Sequence, residues 1–192
     1  MRIGLRFYLI FLLTAFLIFP VHELAHYVTY RLSGVQLQMT LNTASPQDQS
    51  LRRPLPEIAG PLLNLALAVA ALCAFCNDEP RKIYWAALAL AAALMRLALY
   101  ILILAAALVS RSGLSLGNDE PIAAHLWGLP SLTFVALFSV PLLLIVWSVV
   151  RTFQCSRTRT LLHVFGFSLL LISIGALIGN VLDPWLFPTR FR

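Results

Sequence analysis

Along this chain the polar residues gather into short clusters, and between them run five apolar stretches, each near the ~20 residues that a helix needs to cross a bilayer. They predict spans over 3–32, 59–76, 83–109, 132–150 and 161–181. The runs are too long and continuous for the strands of a membrane barrel. The pattern therefore predicts an all-α fold, a polytopic transmembrane helix bundle forming one integral membrane domain over 1–192. A different period interrupts it once. Val35, Leu37, Met39 and Leu41 alternate with Gln36, Gln38, Thr40 and Asn42, which predicts a short β-strand or hairpin after the first span. Such a strand could pair at its edge with an extended peptide, or lie on the membrane surface for packing alone.

Composition points the same way. Of the 192 residues 60% are hydrophobic and 11% charged, with a mean hydropathy of +0.85; so little polar surface could not cover a soluble domain. A pI near 9.8 would suggest a nucleic-acid partner in a soluble chain. Here the basic residues sit mostly at segment ends, where the headgroups of a lipid bilayer suit them, and no nucleic acid is expected. They divide almost evenly between the two ends of the spans, so the positive-inside rule sets no orientation. Cys73, Cys76 and Cys155 cannot build a disulfide framework, and Cys73 and Cys76, though spaced C-x-x-C, read as small apolar helix residues. Arg2 and Arg6 before an apolar core mimic a signal peptide. No A-x-A-like site follows, however, and the apolar pattern continues past His26, so a retained first span is expected.

The candidate chemistry lies inside that first span. Phe7 to Val21 carry no charge, and His22-Glu23-Leu24-Ala25-His26 follow within the same helical pattern. At ~3.6 residues per turn the two histidines stack on one face, with Glu23 offset beside them. Two neutral imidazoles can hold zinc, and a neighbouring carboxylate that is not a ligand can take a proton from water the metal activates. The plainer reading has these side chains bonding neighbouring helices. Ionisable groups near lipid depth cost a few kcal/mol (~2.5–3.5) and are seldom kept without a use, which favours the metal. Asn64, one turn into the second span, either bonds a neighbouring backbone or reaches the site to steady a substrate carbonyl. Arg96, in the middle of the third span, needs a partner, for which Glu23, Asp119 and Glu120 are the available acids. A structural ion pair, or contact with carbonyls or a water-filled gap, is the plainer reading, while at the site it could stabilise a developing negative charge or close the site at rest. His163 falls at the other end of the bundle, near the interface.

His22-Glu23-Leu24-Ala25-His26 in one span, followed by Ala59-Gly60-Pro61-Leu62-Leu63-Asn64 opening the next, resembles the site-2 protease family of intramembrane zinc metalloproteases over about the first 80 residues. The resemblance implies that His22, His26 and a later aspartate hold one Zn2+ ion while Glu23 activates water. In that family the aspartate usually sits in an N-x-x-P-x-x-x-L-D-G motif, which this chain lacks. By analogy with its place after the third core helix, Asp119 is the expected third ligand, with Glu120 next, and His125 and Asp183 lie on the same face. Asn118-Asp119-Glu120-Pro121 also reads as an ordinary helix start, with Asn118 or Asp119 as its cap. The implied activity is hydrolysis of a peptide bond in or near the membrane segment of a membrane-protein or membrane-associated peptide substrate. Glu23 and Asn64 would be the catalytic residues. The implied location is multi-pass, in a bacterial inner membrane. Two alternatives stand beside it: a non-catalytic zinc-binding protein or inactive relative, and a membrane protease with its site in a soluble domain, for which no connection here is long enough.

Overall fold

The computed structural model describes residues 1, 3–46, 48–109 and 118–188. Much of the connection between the third and fourth spans, 110–117, and the last residues, 189–192, lie outside them. Five long helices carry the five apolar stretches: α1 (Leu5–Leu32), α2 (Pro54–Asn77), α3 (Lys82–Val109), α5 (Thr133–Val150) and α6 (Arg157–Leu177), with the short α4 (Asp119–Leu126) and α7 (Asp183–Leu186) between and after them. All five long helices are apolar enough to cross a membrane. Their outer faces bear large exposed apolar side chains, among them Leu9 and Leu13 of α1, Leu143 and Trp147 of α5, and Leu161 and Phe165 of α6. An exterior of that kind suits hydrocarbon rather than water.

At the centre stands α3, whose run of alanines lets its neighbours come close. Ala86, Ala87, Ala89, Ala91, Ala92 and Ala93 are fully sealed; small side chains are what allow membrane helices to approach backbone to backbone. α1 and α2 pack against it and each other, α5 and α6 cover its remaining sides, and α4 lies on α2 and α5. The inward stripe of α1 reads Phe7, Phe11, Ala15, Ile18, His22, His26, Tyr30. Spacings of three and four residues keep these on one helix face, so the stripe that buries Phe7 and Phe11 near one end delivers the two imidazoles near the other. Gly34 ends α1 with a φ of 77°, while Val35 N–H bonds the Tyr30 carbonyl at 3.0 Å and Gly34 N–H the Arg31 carbonyl at 3.1 Å. This 6→1 and 5→2 pair stops the helix and sends the chain sideways.

The predicted strand is not formed: among the described residues none is in a β-ladder. The alternation nonetheless has a physical counterpart. Val35 is buried and Leu37 and Met39 half-buried, whereas Gln36 and Gln38 are exposed. The segment forms no regular element, and among the described residues no second strand pairs with it. Its far end is held by Asp183 instead, whose carboxylate accepts from Thr40 Oγ1 at 2.7 Å, Leu41 N–H at 2.9 Å and Asn42 N–H at 3.1 Å.

The two ends of the bundle are distinct. At one, Gln154 N–H bonds the Met1 carbonyl at 2.9 Å and Tyr8 Oη meets His163 Nδ1 at 2.5 Å, so His163 is held by the first helix. The other end gathers the segment 35–46, the first turns of α2 and α4, and α7.

Candidate metal centre

Three elements converge at that second end. α1 supplies His22 and His26, only 2% and 3% exposed. α4 begins with Asp119, whose carboxylate leans away from its own helix; Asn118, in the cap position, makes no side-chain cap bond. α2 supplies the wall. A Cβ on Gly60 would stand 2.4 Å from His26 Nε2 and 2.6 Å from His22 Nε2, so the rings occupy space that only glycine leaves free.

The donor atoms form a tight triangle. His22 Nε2 and His26 Nε2 are 3.1 Å apart; Asp119 Oδ2 is 3.1 Å from the first and 3.5 Å from the second. With metal–ligand bonds of ~2.0–2.2 Å, the edges of a tetrahedral site run about 3.3–3.5 Å. The set thus fits a small divalent cation in number, donor type and spacing. Outer contacts agree for one ring: His26 Nδ1 donates to the Pro56 carbonyl at 2.7 Å, which leaves Nε2 as the lone-pair atom facing the triangle. Nδ1 of His22 is buried with no partner among the described residues. Burial would raise the Asp119 carboxyl, but His26, His22 and Arg96 around it outweigh that and hold it well below the usual carboxylate range.

Glu23 stands beside the triangle and is not one of its donors. It is half-buried and borders two cavities that also share Asn42 and Asp119. The smaller, of about 150 Å³, is mostly polar and runs past Ser45, Arg52 and Glu57 toward the bundle end. The larger, of about 360 Å³, opens between α3 and α6 and is walled by Leu99, Leu102, Ile172 and Ala176.

The other expected ligands are placed elsewhere. Glu120, fully buried, is taken up by Arg96: Nε donates to Oε1 at 2.9 Å, Nη2 donates to Oε2, and Tyr100 Oη donates to Oε1 at 2.6 Å. His125 is exposed on α4. Asp183 is consumed by the 40–42 backbone. Asn64 is fully buried on the Gly60 face of α2, donates to Met95 Sδ at 3.3 Å and borders neither cavity.

Sequence reading missed the Tyr30–Glu57 bond that ties α1 to α2 beside the site, with Arg52 3.9 Å from Glu57, and the pairing of Tyr100 with Glu120. Tyr100 was findable, since it lies four residues after Arg96 and hence on the same helix face. Comparison with protein-family models, with characterised proteins and with solved structures finds no match.

Proposed function

We propose that this chain is an intramembrane zinc metalloprotease of the site-2 protease kind, hydrolysing a peptide bond in or near the membrane segment of a substrate protein in a bacterial inner membrane. One observation carries the reading. Two imidazole nitrogens four residues apart and a carboxylate oxygen from a distant helix meet within 3.1–3.5 Å of one another inside an apolar bundle, with a fourth, non-ligating acid beside them.

His22, His26 and Asp119 would hold the ion. Bound zinc supplies a Lewis acid that polarises a carbonyl and eases the ionisation of water. Glu23 serves as the base: its carboxylate takes a proton as water adds to the scissile carbonyl carbon, then returns it to the amide nitrogen as the C–N bond breaks. Its position between the cavities suits that work, because water can arrive through the smaller, polar one and the substrate through the larger one, which has an apolar wall from α3 and α6. A peptide bond within a helix is shielded by its own hydrogen bonds, so the substrate must unwind locally to reach Glu23.

Glu23→Gln is the test. In detergent-solubilised full-length protein the variant is expected to retain its zinc and to lose cleavage of fluorescein-labelled casein by at least about a hundredfold. Undiminished cleavage by the variant rejects the mechanism. Zinc bound equally by both with no cleavage by either leaves the non-catalytic, zinc-binding reading.

A further inference from the structure

Arg96 is the costliest residue in the chain, a guanidinium only 4% exposed at the middle of the central helix. Neutralising it requires one carboxylate, and Glu120 does so with both oxygens. Two of the three nitrogens are used in that fork. The third, Nη1, points the other way, 3.4 Å from Asp119 Oδ2 and 3.5 Å from His22 Nε2. Those are the separations the metal-ligating atoms keep among themselves, so Nη1 flanks the place where any further group would join the cluster. Arg96 also borders the larger cavity, together with Glu23 and Asp119.

The fork with Glu120 by itself does not account for Nη1, which is turned to the Asp119 and His22 donor atoms instead; with those atoms given over to an ion, Nη1 would be left as a cationic donor beside it. Next to a divalent ion such a donor is repelled, and the repulsion has to be offset. Glu120 provides the fixed counter-charge, and Tyr100 Oη, 2.6 Å from its Oε1, holds the carboxylate in place. The fork therefore fixes the direction of Nη1 as well as its charge.

We infer that Arg96 is a catalytic residue of the reaction proposed above, and this inference rests on that reading: Nη1 donates to the scissile carbonyl oxygen as negative charge gathers on it. As the water oxygen bonds to the carbonyl carbon, the C=O π pair moves onto the oxygen facing Nη1 and Glu23 receives the proton. When the C–N bond breaks, that pair returns to the C=O bond and the nitrogen takes the proton from Glu23. Arg96 exchanges no proton; it lowers the energy of the charged intermediate, as a donor held in place before the reaction does. Glu120 and Tyr100 are positioning residues acting through Arg96.

The experiment uses the full chain in detergent micelles. Arg96→Gln alone would leave Glu120 buried and unpaired, so the decisive variant is the double replacement Arg96→Gln with Glu120→Gln, compared with Arg96→Lys, Glu23→Gln and wild type. With fluorescein-labelled casein, the double variant is expected to lose kcat by about 10²–10³-fold, the usual effect of removing one such donor, with KM and zinc content close to wild type. Arg96→Lys, which keeps the charge but loses the fork, should recover part of the loss. A readout independent of turnover is affinity for N-phosphoryl-leucyltryptophan, whose tetrahedral anion imitates the charged intermediate; the double variant should bind it at least about tenfold more weakly. A kcat within threefold of wild type, unchanged affinity for the phosphoryl compound, or loss of zinc in step with kcat overturns the assignment. Wild type no more active than Glu23→Gln overturns the protease reading itself, and this one with it.

Discussion

Gly60 and His26 are in such close register that a methyl group on the glycine would stand 2.4 Å from the ring's Nε2. The two helices meet there with no slack, and the imidazoles fill the volume a side chain would take.

Gly60→Ala therefore runs against ordinary helix propensity. In an unconstrained helix the change would add ~0.5–1 kcal/mol of stability; here it must displace both rings or separate α1 from α2. The expected outcome is a lower thermal midpoint together with loss of zinc, read by unfolding in detergent and by metal analysis of the purified protein. A raised midpoint with full zinc would show that the rings do not occupy this wall.

The acids near the site are expected to sort by zinc content. Asp119→Ala removes one of three donors and should weaken zinc binding by well over tenfold. His125→Ala, at an exposed position, and Asp183→Ala, at a carboxylate fully engaged by the 40–42 segment, should keep it. Metal analysis of the three variants side by side decides the matter, and zinc retained by Asp119→Ala would reject the ligand set.

Asp183 has its own expected phenotype. It is 1% exposed and accepts three hydrogen bonds from one short segment. Removing it takes away the acceptor shared by the buried Thr40 hydroxyl and two part-buried backbone N–H groups, at ~1–3 kcal/mol. Asp183→Ala should therefore lower stability by about that much and open the segment 40–46 to limited proteolysis, while zinc stays bound. Mass spectrometry of the first cleavage products checks the location.

The spans and the pair of histidines were legible before any coordinates, because both depend on periods the chain carries locally. α1 extends to Leu32 as the apolar pattern predicted, and four-residue spacing put His22 and His26 on its inward face. Asp119 and Glu120 are the opposite case. They are neighbours with the same chemistry, and nothing local separates them; about 100° of helix turn points one at the imidazoles and the other at Arg96. The segment 35–42 had the right alternation for a strand, yet a strand is a relation between two stretches of backbone, and among the described residues no second one pairs with it.

By itself, then, the order of residues determined that this protein is a bundle of about five membrane-length helices, and that two imidazoles and an acid share one end of the first. Hydropathy and helical period are properties of short stretches, which is why they can be read directly. Only the tertiary structure decided which distant carboxylate meets those rings, which one neutralises Arg96, and which is spent holding a loop. Those assignments turn on distances of a few ångströms between side chains 24 to 143 residues apart, and only the packing of the helices on one another sets them.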